Sequence, residues 1–426
     1  MEEESWWHAY IPKSIICLRE KYSWQIFRKD LVAGLTVGVV ALPLAMAFAI
    51  ASGVSPEKGL FTAIIAGFLI SLLGGSRVQI GGPAGAFVVV IYGVIQRHGY
   101  EGLVIATLMA AVLLVIMGLC RLGNLVKFIP FALCTGLTAA LGILVLSLQI
   151  KDFFGLPLTS LPVSFLDKWA LYFQYLPQLH VTNFLVALST LGIIVLFKRY
   201  LPSLPWGITA IVITTLGCIV FGINIETIHS RFGEIPRMLP SPNIPYFELK
   251  DLIRLLPDAI GIALLAGIES LLSALVADNM IGKKHKSNCE LMAQGIANLG
   301  SVIFGGIPAT GAIARTAANV NSGATTPIAG MIHAVTLLLI MLFLSPLVGY
   351  IPMAALAAVL MVVAWNLIEV HRLVDCLKGR KRDALIMLAT FFLIVLHDLL
   401  IGIVAGLAIY GMQKGFEKWK ARAALK

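Results

Sequence analysis

Apolar runs close to bilayer-crossing length recur along the whole chain, separated by short polar stretches. That alternation predicts a bundle of membrane-crossing helices. The runs fall at residues 31–52, 59–73, 103–119, 128–148, 184–197, 208–221, 257–280, 290–304, 327–344, 353–367, 384–396 and 399–412. Two more apolar stretches, 79–90 and 304–323, are broken by glycine and proline, and they bring the count to fourteen segments. Pro43 lies inside the first run, where it frees a carbonyl and kinks the helix. Residues 1–30 form an amphipathic cytoplasmic segment against the membrane, with Trp6, Trp7 and Trp24 as interface anchors. A loop with interfacial aromatics spans 151–180, and a longer Pro-rich connection at 224–257 is the seam between two halves. The division that follows is 1–30 N-terminal, 31–222 first repeat, 223–255 extracytoplasmic connection, 256–412 second repeat, and 413–426 cytoplasmic tail.

The broken segments are the most informative. FGGIPATGAIARTAANVNSG (304–323) carries Pro308, four glycines and Arg315. Irregular backbone at membrane depth is tolerated only where it is buried in protein or lines a cavity, and a charge there marks a functional site. The pattern predicts an extended piece over 305–309, then a half-helix starting near Thr310 and capped by it. Asn319 and Asn321 would close that helix. QIGGPAGAFVVV (79–90) has the same build, with Pro83 at the first helical position. Paired, interrupted segments in corresponding positions of two halves point to a transporter binding site. Two half-helix N-termini and one guanidinium would make a pocket for an anion.

Composition sharpens this picture. The 426 residues are 59% hydrophobic and 13% charged, with a mean hydropathy of +0.92. The net charge of +10 sits in short loops and is not a nucleic-acid signature. With the N-terminus inside, the loops after even-numbered segments are the basic ones. They hold Arg77, Arg121 with Lys127, Lys198 with Arg199, the 283–286 cluster, 378–382 and 414–422. Both termini then lie in the cytoplasm, and seven segments per half make the repeats inverted. The six cysteines are scattered and read as packing residues, with no metal spacing and no nucleophile–base pair, so an enzyme is not expected.

Glu269 is the second intramembrane charge, with Ser273 on the same helix face. A buried carboxylate carries a proton, pairs with Arg315, or binds a cation such as Na⁺ with Ser hydroxyls. In each case it would couple anion binding to something positive; the alternative is a static Glu269–Arg315 salt bridge that only fixes packing. Asp278 is placed to cap its helix or pair with the Lys cluster. Asn288, Glu290, Gln294 and Asn298 recur at helical spacing and would brace the broken tenth segment. His333 and His397 read as satisfied structural groups.

Together, ALPLAMAFAIASG, QIGGPAGAFVVV, GIESLLSALVAD, SNCELMAQGIANLGS and FGGIPATGAIARTAANVNSG resemble the sulfate permease (SulP) family of anion transporters. The resemblance implies an all-α polytopic fold of two inverted seven-segment repeats, shared with uracil-type transporters. Segments 1–4 and 8–11 would form a moving core, and 5–7 with 12–14 a gate. It implies an anion site at Phe48, Ala84, Gly85, Ala86, Gly311, Ala312, Ala314 and Arg315, with Glu269 and Ser273 coupling transport to H⁺ or Na⁺. In bicarbonate-carrying members an Asp at the Glu269 position helps bind Na⁺; the Glu here favours protons. Leu44 departs from a position often polar in the family. Members usually continue into a STAS domain, whereas the sequence in hand ends at Lys426, just past the last span.

The expected function is H⁺-coupled sulfate symport by an elevator-type alternating-access mechanism. Na⁺-coupled bicarbonate and H⁺-coupled dicarboxylate transport come next, then a nucleobase–proton symporter or an anion channel. No cofactor is expected beyond the coupling ion. The partners are a small inorganic or dicarboxylate anion and the lipid bilayer, a homodimer is left open, and the location is a cell membrane, such as a bacterial inner membrane.

Overall fold

The computed structural model describes residues 10–424 except 21, 125–129, 159 and 202–203, with side chains described through Phe416. Trp6, Trp7 and Lys127 therefore lie outside the described residues. The chain is helical almost throughout. In order come α1 (Lys13–Arg19), α2 (Trp24–Ala51), α3 (Pro56–Leu73), β1 (Gly81–Gly82), α4 (Gly85–Leu119) and α5 (Phe131–Phe154). Then come α6 (Phe165–Tyr175), α7 (Val181–Tyr200), α8 (Trp206–Val220), α9 (Ile228–Phe232), α10 (Leu249–Ile281) and α11 (Ser287–Ile303). The last elements are β2 (Thr310–Gly311), α12 (Ile313–Asn321), α13 (Ile328–Val348), α14 (Met353–Ile368), α15 (Val370–Lys378), α16 (Lys381–Leu396) and α17 (Leu399–Ala424).

Among the described residues, nine helices are long and apolar enough to cross a membrane. Their ends obey local chemistry. Ser23 caps α2 by accepting the Ile26 N–H at 3.3 Å, and Pro56 opens α3 at the position that needs no donor. Gly155 and Gly282 end α5 and α10 in the left-handed conformation. α4 contains a break at Gly99 (φ 67), so it is two helices in series, matching the third and fourth segments of the sequence reading.

Several boundaries differ from that reading. α2 begins at Trp24 and not near residue 31, because the cap at Ser23 lets the helix run out through the polar stretch. α10 begins at Leu249, where Glu248 and Asp251 form a reciprocal capping box, and Pro257 sits inside it. The 151–180 loop contains α6, and the tail after residue 412 continues as helix to Ala424.

The helices pack in two groups. α2, α3, α4, α10, α11, α12 and α13 pack mainly against one another, as do α5, α7, α8, α14, α16 and α17. Small residues permit the close crossings that stand in for a hydrophobic driving force inside a bilayer. At Gly59 a Cβ would lie 2.0 Å from the Ala45 carbonyl oxygen, so α3 meets α2 backbone to backbone only because no side chain is there. The seam between the groups runs past α4 and α5 and past α2 and α14, which also touch.

Candidate functional site

The site begins as a two-residue antiparallel ribbon. β1 and β2 pair with Gly81 opposite Gly311 and Gly82 opposite Thr310. The Ala312 N–H extends the pairing to the Ile80 carbonyl at 2.9 Å. This corrects two expectations. The half-helix starts at Ile313, not near Thr310, and its cap is Ala312. Thr310 stays in the ribbon, its hydroxyl donating to the Ala266 carbonyl at 3.0 Å. Pro83 likewise precedes its helix, which starts at Gly85 behind Ala84. Strand pairing across the two halves satisfies backbone groups that a helix would otherwise have claimed, so both helices begin later.

Both N-caps are alanines with no side-chain cap. No side chain therefore claims the first-turn N–H groups of α4 and α12, although the Phe87 N–H donates to the Ala84 carbonyl at 3.1 Å, and each helix end carries roughly half a positive charge. Ala84 and Ala86 are buried and Gly85 is half-buried, while Phe48 stands over Gly85, 3.3 Å from where a Cβ would be. Gly311 and Ala312 are buried on the opposite strand, and Ala314 is exposed.

Arg315 is 5% exposed and in the first turn of α12. Its Nη2 donates to the Pro83 carbonyl, and its buried Nη1 has no partner. Nη1 fits only because residue 82 is glycine: a Cβ there would lie 2.7 Å away, and φ is +144°. The guanidinium therefore reaches across to the other half-helix with one donor unspent. A positive charge and two helix N-termini thus lie beside one ribbon.

Glu269 is 6% exposed and, among the described residues, makes no hydrogen bond and no ion pair. The fixed Glu269–Arg315 bridge is not formed. The Ser273 hydroxyl bonds Thr316 Oγ1 at 3.1 Å, and that same oxygen accepts the Ile80 N–H at 3.1 Å. Ser273 thus ties α10 to α12 and, through Thr316, to Ile80 just before β1.

A polar lattice holds the ribbon from behind. Gln79 Nε2 donates to Ser270 Oγ at 2.8 Å, and Ser270 Oγ donates to Glu290 Oε1 at 3.0 Å. Gln294 Nε2 reaches the same Glu290 oxygen at 2.9 Å, and the Gly75 and Ser76 N–H groups donate to the other. Four donors thus compensate a fully buried carboxylate, as such a group requires. Asn298 bonds both backbone groups of Ala309, accepting its N–H at 2.8 Å and donating to its carbonyl at 2.9 Å. Of the bracing expected of the ninth segment, only that of Asn298 reaches the broken tenth segment; Glu290 and Gln294 bond Ser270, the Gly75–Ser76 turn and each other.

Other placements were not anticipated. Asn319 does not close α12; it donates to the Val78 carbonyl at 2.8 Å, tying α12 to the strand before β1, while Asn321 is exposed. Asp278 pairs with His285 of the basic loop at 2.7 Å rather than with a lysine. His333 is fully buried with neither ring nitrogen partnered, against the expectation of a satisfied group. Gln79 and Thr316 escaped the sequence reading, although both stand inside motifs already singled out. The six cysteines are free; Cys17, Cys218, Cys289 and Cys376 are buried as packing residues should be, whereas Cys134 is half-buried and Cys120 exposed.

The chain matches the model of the Sulfate permease family over residues 27–390. It is 47% identical over 389 residues to YvdB of Bacillus subtilis, provisionally named a sulfate transporter, covering 91% of this chain and 73% of that protein. It is 32% identical over 414 residues to the bicarbonate transporter BicA of Picosynechococcus, covering 92% and 71%. Among solved structures, the transmembrane domain of a cyanobacterial BicA superposes with a TM-score of 0.80 at 33% identity, over 90% of this chain and 98% of that one. Murine Solute Carrier 26 family member A9, an anion transporter solved in an inward-facing state, superposes with a TM-score of 0.86 at 18% identity, over 98% and 73%, a likeness of fold alone.

Proposed function

The chain belongs to the sulfate permease family, and from that premise we propose that it is a secondary active anion transporter whose first substrate is sulfate, moved with H⁺. One observation carries this reading: the unspent Nη1 of buried Arg315, where two uncapped helix N-termini emerge from one ribbon. An oxyanion there would accept from Nη1 and from first-turn N–H groups of α4 and α12. Phe48, Ala84, Gly85, Ala86, Gly311, Ala312 and Ala314 would shape the walls.

Glu269 supplies the coupling. A buried carboxylate with no donor takes up a proton or a cation, and doing so neutralises the second charge within the helix bundle. The fold would comprise fourteen segments in two inverted repeats with both termini cytoplasmic. The ribbon would travel with the α2–α4 and α10–α13 group, rising and falling against the other as an elevator.

Na⁺-coupled bicarbonate transport is the second reading, favoured by the resemblance to the bicarbonate transporter. Na⁺ would need oxygen ligands beside Glu269, and the Ser273 hydroxyl is already engaged with Thr316. Uptake of labelled sulfate, bicarbonate and fumarate into liposomes, with imposed proton or sodium gradients, separates these readings. Sulfate accumulation driven by a proton gradient supports the first. Accumulation that requires Na⁺ and prefers bicarbonate replaces it with the second.

A further inference from the structure

The helix between α5 and α7 holds a charge that the central site leaves unexplained. α6 turns Leu166 and Phe173 outward, 64% and 68% exposed, and turns Lys168 and Tyr172 inward. A lysine on a helix at a membrane surface ordinarily sends its ammonium toward water and headgroups. Lys168 does the opposite and is 3% exposed. Its Nζ lies 5.6 Å from the centre of the Tyr92 ring on α4. Among the described residues it makes no hydrogen bond and no ion pair. Burial pushes its amine down to about 8, so at pH 7 most of it remains charged. A tyrosine face offsets only part of the cost of holding an unpaired ammonium in a residue this little exposed.

Two further polar groups on α6 and α5 are unmatched. The Trp169 indole N–H is buried with no acceptor, and the Ser147 hydroxyl on α5 is buried with no partner. The surroundings are otherwise well made. Tyr92 donates to the Leu161 carbonyl at 2.7 Å, and Tyr172 donates to the Ser147 carbonyl at 2.8 Å. Tyr92 belongs to the helix that starts at the ribbon, and Tyr172 and Ser147 to the other side of the seam. Seven residues separate Tyr92 from Gly85, about 10 Å along a helix at 1.5 Å per residue. This junction therefore closes the seam on the face where the proposed orientation places the outside solution.

We infer that Lys168 and the Trp169 N–H form a second anion-receiving point on the outer side of the seam, occupied by a small oxyanion on its way to or from the ribbon. What the ammonium and the indole lack in the closed seam is an acceptor of negative charge. An oxyanion supplies one to both, and its arrival competes with the Lys168–Tyr92 packing that holds the seam shut. This rests on the anion-transport reading above.

The test is initial-rate uptake of labelled sulfate from the outer solution by proteoliposomes holding wild type, Lys168→Met, Lys168→Arg or Trp169→Phe. Lys168→Met should raise the external KM about tenfold, the low end of electrostatic focusing, with the maximal rate near wild type. Lys168→Arg should restore the KM, and Trp169→Phe, which keeps the ring and removes the donor, should raise it less. A transporting wild type whose KM is unmoved in both Lys168→Met and Trp169→Phe overturns this inference alone. So does loss of maximal rate at unchanged KM. Should Lys168→Met fail to fold, Trp169→Phe decides by the same criterion. A wild type that takes up neither sulfate, bicarbonate nor fumarate overturns the transport reading and this inference with it.

Discussion

Replacing Asn298 with alanine tests whether the polar lattice holds the ribbon. Asn298 is fully buried and its amide clasps Ala309 on both sides, one residue before β2. Truncation leaves the Ala309 N–H and carbonyl without those partners in a site closed to water. Each of the two orphaned buried groups costs about 1–3 kcal/mol, so the substitution should destabilise by roughly 2–6 kcal/mol. Small neighbours leave little scope for repair: a Cβ at Gly306 would already lie 2.5 Å from Ser301 Oγ. The assay is unfolding of purified protein in mixed micelles of rising SDS fraction, with Ile296→Ala, on the exposed face of the same helix, as control. Asn298→Ala should unfold at markedly lower SDS fraction and bind sulfate more weakly, since Arg315 is positioned through the ribbon. Asn298→Ala that matches Ile296→Ala in both stability and affinity would refute the bracing role.

Further outcomes follow from the same geometry. Gly311→Ala places a Cβ 1.6 Å from Gln79 Nε2; it should expel Gln79 from Ser270 and abolish uptake, and normal uptake by this variant would contradict the packing. Glu269→Gln should keep equilibrium anion binding but lose gradient-driven accumulation in liposomes, whereas unchanged accumulation would remove Glu269 from coupling. In the connection between α8 and α10, the hydrogen bond and charge of Arg231 hold the Glu226 carboxyl below its usual range. A depressed carboxyl stabilises above its unfolded value and loses that contribution as pH falls through the folded one. The melting-temperature gap between wild type and Arg231→Ala should therefore be full at neutral pH and narrow below about pH 4; a gap independent of pH would contradict the pairing.

The helices were legible because each one buries or lipidates a long apolar run, and that signal survives any tertiary arrangement. Trp24, Leu249 and the α6 residues were misjudged because they lie where helices run past the hydrocarbon, held by caps and aromatic contacts rather than hydrophobicity. The ribbon was half legible. Glycine and proline showed where the helices break, but the pairing of Gly81 with Gly311 joins residues from opposite halves, and no local pattern carries it. For the same reason Thr310 reads as a cap in sequence and is a strand residue in space. Arg315 and Glu269 stood out as charges in apolar runs. That Arg315 reaches Pro83 while Glu269 stays unpaired depends on three-dimensional placement that spacing does not encode.

The most direct measurement is equilibrium binding of labelled sulfate to the purified protein, wild type against Arg315→Ala, at low ionic strength. Saturable binding by wild type, lost in Arg315→Ala at preserved thermal stability, is the predicted result. Equal affinity in the two proteins would contradict an anion site built on that guanidinium and the two half-helix ends.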